Sequence, residues 1–323
     1  MGVTLAGQNL EEEVEMRSVY CATLMDLAGH DPRIVVLDAD VMNSMGMVPF
    51  AKQYPLRTFN CGVQEANMIG VAAGLSATGK VPYAHSFGTF ATRRAFDQNY
   101  LSAAYGQLNV RIVGSDPGIT AAFNGGTHMA LDDVGIMRSI PGVTVMEPSD
   151  STMLADVIRQ LADLYGVFYV RLMRKKAVRL YEPGSRFEIG KANIVRDGSE
   201  VSLIANGICV HESLKAADLL ARQGISARVV DLFTLKPVDA AMILDCARET
   251  GAIVTVENHS IVNGLGSAVA EVLVENLPVP MERIGVPDVF GEVGPVDYLK
   301  ERFGMTAGCI AAKALRAMAR KNR

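Results

Sequence analysis

Cysteine is scarce in this 323-residue chain and scattered: Cys21, Cys61, Cys209, Cys246 and Cys309, with no CxxC pair. That spacing argues against a disulfide framework and against a cysteine zinc site, and it fits a reducing cytoplasm. Basic charge is not in excess. The 31 Lys and Arg stand against 35 Asp and Glu, a net charge of −4, so no electrostatic footprint for nucleic acid is present. No apolar run approaches the roughly 20 residues that span a bilayer, and no basic-then-apolar leader opens the sequence. No membrane partner and a cytoplasmic location are therefore expected. Tryptophan is absent and methionine frequent at 16, which decides nothing alone. No short-period repeat and no low-complexity tract interrupts the chain.

What is present is enough apolar residue, 49%, to build sizeable cores, in a length suited to two ordinary domains. After a solvated arm with Glu11 to Glu13, a helix is expected over about 14–28, ended by Gly29 and Pro32. The run 34–40, IVVLDAD, reads as a strand of a parallel sheet buried on both faces. Further strands are expected at 81–84, 110–114, 143–146 and 168–172, with helices at 65–77, 94–105, 129–138 and 151–164 between them. This alternation predicts an α/β layered domain with a mostly parallel sheet. LYEPGSRFEIGK, 180–191, is a turn-rich connector. After it come strands at 199–207, 227–233 and 252–258, helices at 212–222 and 266–275, and two closing helices at about 295–303 and 306–320. The expected fold is two α/β layered domains with mostly parallel sheets.

The chain is organised around FNCGVQEANMIGVAAGLSATGKVPYAHSFGTF, 59–90. Glu65 opens a helix that is apolar on nearly every side and is therefore expected to be buried. Taken alone, Glu65 would be an ordinary first-turn glutamate complementing the helix dipole. Its company suggests more. Phe87, Phe90 and the Asn124-Gly125-Gly126-Thr127-His128 loop lie on successive strand-to-helix connections, which converge at one end of a parallel sheet, where ligands bind. Gly125-Gly126 would let backbone approach a ligand closely, and His128 can donate or accept a proton near neutral pH. Arg17, Arg171 and Arg174 have the fork geometry for phosphate, although any one of them taken singly reads better as a solvated surface arginine. Asn263-Gly264-Leu265-Gly266 hints at a dinucleotide loop, but the fingerprint is incomplete with Val269, and a plain tight turn is favoured.

Over about 14–308 the chain resembles the carboxy-terminal half of transketolase, and more closely the small subunit of split transketolases. It is also similar to the matching half of deoxyxylulose-phosphate synthase. The resemblance rests on MRSVY, VVLDAD, GVQEANMIGVAAGL, SFGTFATRRAFDQ, GGTH, IPGVTVMEPSD, VRLMR, DLFTLKP and GLGSAVAEVL, in that order. It implies a pyrimidine-binding domain, about 12–185, and a transketolase carboxy-terminal domain, about 192–323. It also implies thiamine diphosphate as cofactor, shared between two chains, and transfer of a two-carbon ketol unit between sugar phosphates. Glu65 matches the family glutamate that hydrogen-bonds N1′ of the aminopyrimidine. Phe87 and Phe90 match aromatics that pack on that ring, and Asp40 falls among the cofactor contacts. Arg17, Ser44 and one of Arg171 and Arg174, with Arg174 preferred, match the phosphate contacts. His128 falls on the histidine of the GxTH loop, implying catalytic and substrate contacts.

No GDG motif, which in this family begins the diphosphate and metal site, occurs here. No metal ligand is therefore assigned to this chain. A separate diphosphate-binding subunit is implied, carrying Mg²⁺ or Ca²⁺ and assembling two plus two with this one. Asp116 stands where transketolases usually carry histidine, and Phe123-Asn124 where they carry an acidic pair. With His85 and Arg93, these positions are expected to line the substrate channel and to alter the sugar, since an amide does not hydrogen-bond as a carboxylate does. The synthase, the β subunit of a 2-oxoacid dehydrogenase and a non-catalytic regulatory subunit remain alternatives. The GGTH loop argues against the dehydrogenase.

Overall fold

The strand–helix alternation closes into two sheets in a computed structural model that describes residues 2–7 and 10–321. The first unit runs through α1 (Met16–His30), β1 (Ile34–Asp38), α2 (Met42–Met45), α3 (Val48–Gln53), β2 (Thr58–Asn60), α4 (Glu65–Ala77) and β3 (Val81–Phe87). It continues through β4 (Val110–Ser115), α5 (Asp133–Arg138), β5 (Thr144–Met146), α6 (Ser151–Asp163) and β6 (Val167–Leu172). The second comprises β7 (Asn193–Arg196), β8 (Val201–Ala205), α7 (Cys209–Ala221), β9 (Ala227–Asp231), β10 (Thr234–Lys236) and α8 (Ala240–Thr250). Then come β11 (Ile253–Ser260), α9 (Leu265–Asn276), β12 (Met281–Val286), α10 (Val296–Arg302) and α11 (Ala307–Met318).

Strand order is β10-β5-β6-β4-β3-β1-β2 in one sheet and β12-β11-β8-β9-β7 in the other. All pairings are parallel except β10 with β5 and β7 with β9. The central strands β1, β4 and β6 are buried along their whole length, as their near-continuous apolar sequence requires. β10 comes from the second half of the chain yet completes the sheet of the first. Lys236 fixes it there, its ammonium donating to the carbonyls of Arg138 and Ile140.

Several expectations need correction. The segment 94–105 is not one α-helix: Phe90–Arg94 and Gln98–Tyr105 wind as π-helices. The helix expected from 129 starts at Asp133, because Ala130 is held in a bridge to Pro117. The amino-terminal arm is not solvated throughout. Glu12 is buried, its carboxylate accepts from Ser151 at the start of α6, and Ala6, Glu12 and Thr4 pair with backbone of 177–182. Nor is α4 covered on every side. Met68, Ile69, Ala72 and Ala73 are buried, while Asn67, Gly74 and Ala77 are open. The turn before α9 is a tight turn: Leu265 and Gly266 donate backbone N–H to Glu257 at 2.7 and 2.9 Å. A Cβ at Gly264 would lie 1.9 Å from that carboxylate, so glycine is required and the helix N-terminus already holds its anion.

Between the units lies a buried ionic cluster centred on Arg171 of β6. Its guanidinium meets Asp133 at 2.8 Å and Glu147, and it donates to the carbonyls of Ala130 and Asn258 at 3.0 Å each. Tyr169 adds a hydroxyl to Asp133 at 2.6 Å, and Asn206 an amide to Glu147 at 2.9 Å. Asp231, at the end of β9, accepts from Ser149 (2.9 Å) and Tyr181 (2.7 Å). Burial pushes its carboxyl up to about 7, against the opposing pull of those two hydroxyls. A folded-state value above the unfolded one favours the protonated form, so this contribution is full below about pH 4 and lost as pH rises through 7. Denaturant titrations should therefore show stability falling by roughly 2–3 kcal/mol between pH 5 and 8 on this account. Asp231→Asn should flatten that slope.

Candidate functional site

The order β6-β4-β3-β1 sets four strand ends side by side, and the residues that follow or end them are Arg174, Asp116, Phe87 and Asp40. Most of the sequence-expected site thus shares one edge of the sheet, where side chains project past the last ladder bond. Glu65 enters from the first turn of α4, 1% exposed. Its Oε1 accepts from Ser86 of β3 at 2.9 Å and its Oε2 from Arg94 at 2.8 Å.

Beside it three rings form a cage. Phe87 and Phe90 meet edge to face with centroids 6.1 Å apart, and His128 lies 5.4 Å from Phe87 and 5.2 Å from Phe90. His128 Nδ1 is 3.0 Å from the Thr127 hydroxyl. The three rings offer aromatic surface to a planar group, and Arg94, 4.2 Å over Phe90 and 2.8 Å from Glu65, joins them to the buried carboxylate.

A second group gathers around the carbonyl of Ser44. Arg17 donates to it at 2.8 Å and Arg174 at 3.5 Å. It is the backbone of Ser44 that meets these arginines. Neither cation is free of counter-charge: Arg17 pairs with Glu15 at 2.6 Å, and Arg174 grips Asp116 through two contacts of 2.7 Å. Asn124 donates to Asp116 at 3.3 Å. Burial raises the Asp116 carboxyl against the pull of Arg174. The Arg174 guanidinium sits 5.2 Å over the Phe87 ring and so joins the two groups. Asp40 stands to one side, bonded to Asn60 at 3.0 Å.

The loop carrying Asp116 and Asn124 is strained and held from below. Asp116 and Ala122 have φ of 56° and 46°, and Asp40 has 64°. Aspartate tolerates this region; alanine at φ 46°, ψ −113° stores on the order of 1–3 kcal/mol. Asn258 of β11 fixes the loop base, accepting from Ile119 N–H at 2.8 Å and donating to the Pro117 carbonyl at 2.7 Å. The second unit therefore positions the first unit's site. Gly126 permits a close approach, but to the carbonyl of Gly291: a Cβ there would lie 2.2 Å from it.

Two expectations change. Arg171 is sealed in the interdomain cluster and does not reach the strand-end site. His85 does not line an open channel; two residues back from the end of β3, it is fully buried and bonded to Asp38 at 2.9 Å. Arg93 is exposed and pairs with Asp132 at 3.2 Å. Ser86 and Arg94 join the site from outside the sequence-expected set. Their only sequence signal is position within SFGTFATRR, beside the aromatics.

Among the described residues, no group of three or more His, Cys, Asp or Glu could hold a metal ion, and no helix is long and apolar enough to cross a membrane. Residues 12–178 match the family described as Transketolase, pyrimidine binding domain, and 190–310 the family described as Transketolase, C-terminal domain. Over 311 residues the chain is 52% identical to a 6-deoxy-6-sulfo-D-fructose transketolase subunit of Clostridium sp. (strain MSTE9), covering 96% of this chain and 97% of that one. It is 37% identical to an apulose-4-phosphate transketolase subunit of Phocaeicola vulgatus, covering 85% and 88%. A solved structure described as a split gene transketolase, inactive beta4 tetramer, superposes with a TM-score of 0.89 at 41% identity, covering 95% of this chain and 99% of that one.

Proposed function

We propose that this chain, which belongs to the transketolase family as a carboxy-terminal subunit of the split kind, joins a separate diphosphate-binding subunit to move a two-carbon ketol unit from an acid-bearing ketose to an aldose phosphate. The observation that carries the reading is the buried Glu65 carboxylate set against the Phe87–Phe90–His128 cage at the strand ends.

These residues fit the pyrimidine end of thiamine diphosphate: one buried acceptor for a ring nitrogen, flanked by aromatic faces. Nothing comparable supports its diphosphate and metal end here: the described residues include no group of three or more His, Cys, Asp or Glu that could hold a metal ion. In this reading Mg²⁺ or Ca²⁺ and the diphosphate belong to the partner subunit, in a two-plus-two assembly. The solved relative described as an inactive β4 tetramer is what such a chain would be without its mate. When bound, the cofactor supplies the carbon that carries the ketol unit. Glu65 would hold the pyrimidine by sharing a proton with its ring nitrogen. Phe87 and Phe90 exclude water from the ring. His128 stands where it can exchange a proton with a sugar hydroxyl, and Arg17 and Arg174 bind the acid group of the sugar.

Asp116 and Asn124 support a sugar other than the xylulose and ribose phosphates. Arg174 is paired with Asp116 and Arg17 with Glu15, so the cradle presents little net positive charge. A singly charged acid suits it better than a phosphate dianion, and the sugar in the name of the 52% identical relative is a sulfonated ketose. Mixing this chain with its diphosphate-binding partner, thiamine diphosphate and Mg²⁺ should give ketol transfer that neither chain gives alone. Across a sugar panel, 6-deoxy-6-sulfofructose should exceed xylulose 5-phosphate in kcat/KM by tenfold or more. Equal or better turnover of xylulose 5-phosphate would refute the altered donor while leaving the transketolase reading standing.

A further inference from the structure

Among the described residues Arg94 is the one cation paired with Glu65, and it makes two contacts at once. Its Nη1 lies 2.8 Å from Glu65 Oε2, and its guanidinium carbon lies 4.2 Å from the centroid of Phe90. Glu65 is sealed, with a side chain 2% exposed, whereas the Arg94 side chain is 45% exposed. Arg94 thus reaches in from solvent as a flat, N–H-bearing group, one edge on the carboxylate and one face on an aromatic ring. A planar aminopyrimidine held by Glu65 and packed on Phe90 would need the same two contacts.

We infer that Arg94 is a displaceable occupant of the pyrimidine place. It holds Glu65 and Phe90 in the lone subunit and swings out to solvent when thiamine diphosphate enters. This rests on the transketolase reading above. The physical need is plain: a buried carboxylate in an apolar cage is costly without a partner. Arg94 supplies that partner from the solvent side, so releasing it does not bury a charge. Its anchor is modest, because half-exposed ion pairs and cation–ring stacks are each weak. Arg94 also ends the π-helical segment Phe90–Arg94, a backbone form that recurs at functional sites.

The test is a calorimetric titration of thiamine diphosphate, with Mg²⁺, into the reconstituted two-subunit complex. Arg94→Ala should lower Kd by about three- to tenfold, since nothing then competes for Glu65 and Phe90. Arg94→Lys should fall between it and the wild type, keeping the charge and losing the plane. The lone Arg94→Ala chain should melt a few degrees lower, because Glu65 loses its counter-charge. Unchanged or weaker cofactor binding by Arg94→Ala would overturn the displacement, and weaker binding would make Arg94 a ligand instead. If the wild-type complex bound no thiamine diphosphate, the transketolase reading itself would fall, and the displacement with it.

Discussion

Glu65→Ala in the two-subunit mixture should reduce ketol transfer by about 10³-fold or more, the range in which removal of a positioned proton-sharing group falls. In the proposed reading the loss is catalytic. Glu65 is joined to the Phe87–Phe90 rings through Arg94, which stacks over Phe90, and its two oxygens are placed by Ser86 and Arg94. Alanine frees Arg94, which is already half in solvent and keeps its hydration. The melting temperature of the chain should therefore move by only a few degrees while activity collapses. Glu65→Gln keeps an acceptor oxygen of the same shape but cannot share a proton as a carboxylate does, and should lose about 10²-fold. Steady-state rates beside thermal melts decide it. A fall in activity that merely tracked unfolding would reduce Glu65 to a helix-capping residue.

Arg171 should behave in the opposite way. Arg171→Met should destabilise the chain by about 3–5 kcal/mol, because Asp133 and Glu147 would stay buried without their counter-charge. The carbonyls of Ala130 and Asn258 would also lose a donor. Arg171→Lys keeps the charge but cannot fork between two carboxylates and two carbonyls, so it should lie between. Arg174→Ala, three residues on, strands one buried carboxylate, Asp116, where Arg171→Met strands two, so it should cost less, about 1–3 kcal/mol, and should raise the KM for the acid-bearing sugar besides. Denaturation curves for the three variants, set beside KM values, separate the two arginines. A stable Arg171→Met with a raised KM would return Arg171 to the substrate site.

The two arginines also show what could be read from the sequence. Both occur in VRLMR, and both have the fork that phosphate needs. What distinguishes them is depth along β6: Arg171 lies within the strand and Arg174 just past its end. Side chains inside a central parallel strand are covered on both faces, so the strand boundary at Leu172 carried the information. The same rule places His85 inside and Phe87 at the rim. Strong apolar runs and glycine punctuation made α4 legible to the residue at both ends, along with the central strands of both sheets. β10 has no such signal, because its three residues, TLK, carry no periodicity and its partner β5 lies far back in the chain. β7 and β12 are edge strands with charged or polar positions, and the π-helical winding of 90–105 has the composition of an ordinary helix. Family resemblance singled out Glu65, Phe87, Phe90 and His128, whereas the contacts of Arg94 with Glu65 and Phe90 are visible only in three dimensions.

The placement of β10 bears on how this protein can be taken apart. A shortened version stopped in the connector near 190 would look, by sequence, like a self-sufficient half. It would instead leave Thr144–Met146 as a bare hydrogen-bonding margin on the larger sheet, open to pairing with whatever chain it met. It would also strip the Asp116–Asn124 loop of its Asn258 support. For anyone building chimeras from these enzymes, the two halves are a single exchangeable cassette, and a crossover inside it invites aggregation.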